Sequence, residues 1–167
     1  MAIHLFRNIR LLNPAQGLDR RADLLIADGR IQQIAPDITP PEAAIIHDAA
    51  AWVATPGLFD MHVHLREPGA THKETIATGC DSAANGGFTG VCCMPNTTPA
   101  IDHAEVVHSI LWKSRQLPVE VVCTAATTKG RKGEELAPMG ELHEAGVRMF
   151  TDDGDCVRSS EVMRRAF

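Results

Sequence analysis

The sequence predicts an α/β protein in which successive βα units build a parallel sheet, preceded by a small all-β module. Three observations carry this. From Gly57 onward, apolar β-prone runs, polar loops and helical patterns alternate at a spacing of roughly thirty residues per unit. Before Gly57 the chain reads as short strands and turns with no helical period. Polar residues of metal- and anion-binding type then recur where the predicted strands end, which is where βα architectures gather their chemistry.

In the first module, Ala22–Ala27 and Arg30–Ala35 flank Asp28-Gly29, a pair that tolerates the positive φ of a tight hairpin turn. Residues 36–42 form a proline-rich loop, and residues 43–53 offer further short strands. The second module opens with a strand over 58–64. A helix over 74–85 follows, with Thr71 or Thr75 as cap and Gly86-Gly87 as stop. A strand over 88–94 and a helix over 102–115, led by Asp102 as cap, make the next unit. The third pairs a strand over 119–125 with a helix over 135–145 ending at Gly146. A strand over 147–151 and a helix starting at Ser159 or Ser160 complete the pattern.

The 167 residues carry a net charge of −5 and no basic block, which argues against non-specific nucleic-acid binding. No apolar run approaches a membrane span, and the first residues lack a signal-peptide pattern. A cytoplasmic protein is the simplest expectation. The five cysteines are odd in number and lack paired metal-type spacing, so buried free thiols in a reducing compartment are expected. Cys92 and Cys93, adjacent on a strand, should face opposite ways.

His62-Val63-His64 is the most informative motif. Two histidines two residues apart at a strand end point to one side of the backbone and can share one ion. Two imidazoles under-coordinate a divalent metal, so a carboxylate from another strand is the natural addition. Asp152-Asp153 is the one pair of acids at a strand end, and as neighbours the two must point apart. Capping of the next helix is the other account of that pair. Arg66 would share the side of His64 if the extended run continues, and its guanidinium suits a carboxylate; a surface pair with Glu67 is the alternative. Asn96, on a loop stiffened by Pro95, offers a donor and an acceptor, although turn formation explains it equally well. Together Arg66 and Asn96 would recognise a small anion with amide-like groups. The other histidines, His4, His47, His72, His103, His108 and His143, lack a partner at strand spacing and are read as non-catalytic. Lys73, Lys129, Arg131 and Lys132 are read as solvated loop charges.

These motifs resemble the dihydroorotases of the amidohydrolase superfamily, particularly the longer bacterial type I class. The matching stretches are Pro56-Gly-Leu-Phe-Asp-Met-His-Val-His-Leu-Arg-Glu-Pro-Gly69, Gly86-Gly-Phe-Thr-Gly-Val91 leading into Met94-Pro-Asn-Thr97, and Phe150-Thr-Asp-Asp-Gly154. The resemblance implies the first half of a (β/α)8 TIM-like metal-dependent hydrolase barrel over 56–167, preceded over 1–55 by part of a small β-sandwich domain. It implies two Zn2+ ions per complete site, with His62 and His64 on the first and Asp153 bridging to the second. Asp153 is preferred to Asp152 because it directly precedes Gly154, the register of a bridging carboxylated lysine in related families. His64, Arg66 and Asn96 would contact substrate, the last two holding a carboxylate.

The implied reaction interconverts N-carbamoyl-L-aspartate and (S)-dihydroorotate in pyrimidine biosynthesis. An allantoinase or hydantoinase is a close alternative; a non-catalytic subunit supporting aspartate transcarbamoylase is a distant one, and a homodimer is compatible with each. A complete barrel takes about 250 residues, and about 110 follow Gly57. The resemblance therefore implies a fragment or truncated product whose remaining histidine ligands and acid/base carboxylate would lie beyond Phe167. Such an open sheet would leave edge strands unpaired and the isolated chain inactive or nearly so.

Overall fold

The computed structural model describes residues 2–167, and the chain divides into two compact units that meet in sequence at Pro56 and Gly57. The first is a five-stranded sheet. Strands β1 (His4–Asn13), β2 (Leu18–Ala27) and β3 (Arg30–Ala35) form an antiparallel meander, while β4 (Ile45–Asp48) and β5 (Val53–Ala54) both run parallel to β1 on its other side. The expected hairpin forms: Asp28 and Gly29 take φ of 53° and 70°, the two left-handed residues that a turn matched to strand twist requires.

Leu5, Ile9 and Leu11 are all odd-numbered and would share one face of a regular strand. They do not, because β1 carries an extra residue between Phe6 and Ile9, where Asn8 adopts φ 53°. Leu5 then packs with Leu25 and Ile38, and Ile9 and Leu11 with Ala22, Leu24 and Ala49. Asp23 anchors this bulge from β2. Its carboxylate accepts the Asn8 N–H at 2.9 Å and the Ile38 N–H at 3.1 Å, and pairs with Arg7. Burial pushes the Asp23 carboxyl up, but the Asn8 N–H, Arg7 and the Ile38 N–H together hold it below its ordinary value.

The second unit is a parallel sheet of β6 (Leu58–Val63), β7 (Phe88–Cys93), β8 (Glu120–Ala125) and β9 (Met149–Phe150), in that spatial order. Helices α1 (Ile76–Asn85), α2 (Ala104–Ser114) and α3 (Met139–Glu144) connect the strands, and α4 (Ser160–Ala166) follows β9. It is a partial barrel of βα units, as the sequence predicts. The core lies between sheet and helices: Val91, Cys93, Val121 and Cys123 meet Ile76, Cys80, Val107, Ile110 and Leu142. Cys92 is on the other face with its thiol 3.0 Å from Thr124 Oγ1, so the neighbouring thiols do face opposite ways. Four cysteines are buried and free; Cys156 is free but exposed, against expectation.

Helix starts follow side-chain chemistry where the chain supplies it. Thr75 rather than Thr71 caps α1: its hydroxyl accepts the Thr78 N–H at 3.1 Å, and the Thr78 hydroxyl accepts the Thr75 N–H at 3.0 Å. Ser159 caps α4. Asp102 does not cap α2, which starts at Ala104 after His103. Its buried carboxylate instead accepts the Gly130 N–H at 2.6 Å and contacts the His103 ring at 2.5 Å. The third helix is shorter than its pattern suggests, because Pro138 lacks an N–H and disfavours helical geometry at the residue before it. Residues 128–136 form a loop closed by a Thr128–Leu136 bridge.

Candidate metal centre

Strand β6 delivers the histidine pair. His62 lies in the strand and His64 just beyond it, so both project to one side, with ring centroids 5.2 Å apart in an edge-on arrangement. Asp60, one strand period earlier, accepts the His62 N–H at 3.0 Å. The β7 end is tied alongside by a Met94 N–H to Val63 carbonyl bond of 2.9 Å, and the loop that follows puts Asn96 Oδ1 2.9 Å from His64 Nδ1.

The carboxylate arrives from β9. Thr151 N–H donates to the Ala125 carbonyl at 3.0 Å, and the chain then turns through Asp153 and Gly154, both at positive φ. Asp153 Oδ1 lies 3.1 Å from His62 Nε2, and Oδ2 lies 3.9 Å from His64 Nδ1. One ligand atom from each of the three residues falls within 4.8 Å of the others. β6 and β9 stand at opposite edges of the four-stranded sheet, and in a flat sheet they would be roughly 14 Å apart. Their side chains meet because the sheet curls. Asp153 is nearly buried, whereas the His62 side chain remains 60% exposed. Two imidazoles and a carboxylate on one concave face form a donor set suited to zinc and similar divalent ions.

Asp152 points the other way. Its carboxylate accepts the Thr128 N–H at 2.9 Å and the Thr128 hydroxyl at 2.5 Å, all of it buried. Arg66 departs from the expected extended path: its φ is 58°, and its carbonyl accepts the Ala70 N–H at 2.8 Å. Its guanidinium makes no ion pair among the described residues, and the alternative pair with Glu67 does not form. Glu67 is taken by Lys113 at 2.5 Å and by the Ile76 N–H at 2.9 Å, contacts that hold its carboxyl below the usual range.

Arg131, expected to be a solvated charge, is instead bonded to the 152–155 turn, and Thr128 is its neighbour in that contact. Neither carries a sequence signal, because the contact spans some twenty residues and depends on how two loops fold together. Of the remaining histidines, His4 and His47 stack and share a 2.9 Å contact, and His143 Nδ1 lies 3.2 Å from the Val147 carbonyl.

The curled parallel sheet of βα units is a fold shared with solved hydantoinase structures. The L-hydantoinase (dihydropyrimidinase) of Arthrobacter aurescens matches with a TM-score of 0.70 and 26% identity, over 90% of this chain and 32% of that one. A crystal structure of a dihydroorotase shares the fold at a TM-score of 0.56 and 14% identity, over 87% of this chain and 39% of that one. Residues 51–167 match the sequence profile described as dihydro-orotase-like, and the chain belongs to that family. The dihydroorotase of Citrifermentans bemidjiense is 49% identical over 163 residues, 97% of this chain and 38% of that protein. That of Aquifex aeolicus is 47% identical over 161 residues, again 38% of its length. The chain thus spans well under half the length of these relatives. Among the described residues, no helix is long and apolar enough to cross a membrane.

Proposed function

We propose that this chain is the N-terminal part of a dihydroorotase and carries the first corner of its metal site. The observation that carries the reading is the convergence of His62, His64 and Asp153 from opposite edges of the curled sheet. His62, His64 and Asp153 would hold the metal, His62 and His64 on a first Zn2+ with Asp153 shared with a second. When bound, zinc polarises a substrate carbonyl and lowers the pKa of water. The chain's own residues do the rest. Asp153, nearly buried beside both rings, fixes their spacing and supplies negative charge. Asn96 stands at His64, where it can both steady that ring and meet a substrate carboxylate. Arg66, with its guanidinium uncommitted, is available to the same carboxylate.

The proposed reaction is the reversible ring opening of (S)-dihydroorotate to N-carbamoyl-L-aspartate, in cytoplasmic pyrimidine synthesis. The further histidine ligands and the acid/base carboxylate belong to the additional length that the relatives carry. A homodimer, or association with aspartate transcarbamoylase, fits this role. The match to a hydantoinase at a TM-score of 0.70 favours a second reading, a hydantoinase-type substrate.

Metal analysis of the 167-residue chain after equilibration with Zn2+ tests the site. Bound zinc should fall to background in the His62→Ala, His64→Ala double variant, and unchanged metal content would refute the assignment. Assays on the full-length gene product should give turnover of dihydroorotate; turnover of hydantoins alone would favour the second reading. The 167-residue chain by itself should bind metal and show no turnover.

A further inference from the structure

We propose that Arg131 is a positioning residue for Asp153, and that the 128–133 loop exists in its observed form to aim that carboxylate. The inference rests on the metal-site reading above and goes one step behind it. Asp153 has φ 33°, in the left-handed region that residues with a side chain rarely occupy. Something has to hold it there, and its own side chain, turned toward His62 and His64, cannot.

From the backbone side the Thr151 hydroxyl accepts the Asp153 N–H at 3.1 Å, and Arg131 holds the carbonyls. Its Nε–H donates to the Asp152 carbonyl at 2.8 Å, and its terminal NH2 donates to the Asp153 carbonyl at 2.7 Å and to Asp155 Oδ2 at 2.6 Å. The planar fork therefore spans two consecutive carbonyls and a carboxylate of the same turn, a geometry that a lysine ammonium cannot reproduce. Thr128 completes the grip by holding the Asp152 side chain through two hydrogen bonds.

The arginine is itself anchored. Gly130 donates to buried Asp102 at 2.6 Å, Arg131 N–H to the Thr128 carbonyl at 2.9 Å, and Gly133 N–H to Thr128 Oγ1 at 2.8 Å. Asp102, which fails to cap a helix, thus fixes the loop from which Arg131 reaches. The chain of contacts runs Asp102, Gly130, Arg131, then the Asp153 carbonyl, and ends at a carboxylate 3.1 Å from His62.

The test is a Zn2+ competition titration of the 167-residue chain against a chromophoric chelator, with Co2+ absorption as a second readout of ligand geometry. Arg131→Met should weaken zinc binding about ten- to hundredfold, the range for removing a group that orients a metal ligand, and should alter the Co2+ spectrum. In an Asp153→Ala background the same substitution should change affinity by less than about twofold, since a residue acting only through Asp153 has nothing left to act on. If Arg131→Met does not fold, Arg131→Lys carries the same expectation with the charge retained. Undiminished affinity in a folded variant would overturn the proposal, and so would an equal loss with and without Asp153. Zinc binding by the parent chain that survives His62→Ala, His64→Ala would instead show the metal-site reading to be at fault.

Discussion

Asp152 and Asp153 are adjacent and chemically identical, yet the structure predicts very unequal consequences for removing them. Asp152→Ala deletes the acceptor for two buried donors, the Thr128 N–H and hydroxyl, at 2.9 and 2.5 Å. Asp152 is 3% exposed and Thr128 fully buried, so water cannot replace the lost partner. Hydrogen bonds to a charged group contribute about 1.5–3 kcal/mol each, and part is returned because a buried carboxylate no longer needs desolvating. The net loss should be about 2–4 kcal/mol. Asp153→Ala removes a carboxylate whose contacts are the half-exposed His62 ring at 3.1 Å and the His64 ring at 3.9 Å, where water can take its place. Its cost in the metal-free chain should stay below about 1 kcal/mol. Urea unfolding followed by Trp112 fluorescence, in a Trp52→Phe background so that only α2 reports, measures both. An Asp152→Ala variant within about 0.5 kcal/mol of the parent would refute the reasoning, as would equal losses at the two positions.

Two further outcomes follow from local geometry. Because the Asp23 carboxyl is held below its ordinary value, its contribution is fully present above the ordinary carboxylate pKa and is lost as pH falls through the lower folded-state value. Stability of the first unit should therefore drop below about pH 4, and Asp23→Asn should flatten that dependence in urea titrations run from neutral to acid pH. In Gly79→Ala, the new Cβ would stand 2.5 Å from Leu65 Cδ2 in the packed core behind β6. The cost should be about 1–3 kcal/mol, whereas helix propensity alone would make the substitution favourable; a stabilised variant would show that the core yields there.

What the sequence made legible was whatever a short window can hold. Asp28-Gly29 announced its hairpin, the apolar runs announced the four parallel strands, and His62-Val63-His64 announced a shared direction because strand periodicity is local. Asp152 against Asp153 could be framed from the sequence but turned on a resemblance, since either neighbour could face inward. Other features depend on distant partners. The β1 bulge needs Asp23 on the next strand to accept the Asn8 N–H, and nothing near Asn8 signals it. Asp102 reads as a helix cap because aspartate before a helix is usually one; a loop near residue 130 claims it instead. Arg66 leaves the extended path by a left-handed turn that no neighbouring glycine forecasts. Arg131 sits among lysines and glycines in a segment that looks solvated, and only the docking of that segment on the β9 turn reveals its use.

The neighbour-to-neighbour order of the parallel strands has a consequence for how the chain assembles. Each strand pairs with the one before it, so the sheet can grow in the order of synthesis with modest loop-closure cost at every step. His62 and His64 are different: their partner Asp153 lies about ninety residues downstream, and the contact exists only after every intervening unit is docked and the curl is complete. The imidazole–carboxylate pair should therefore form late in folding, after the sheet that separates its members. Metal uptake during refolding should lag behind the far-UV signal of strands and helices, so that the ion inspects the finished curl and takes no part in nucleating it.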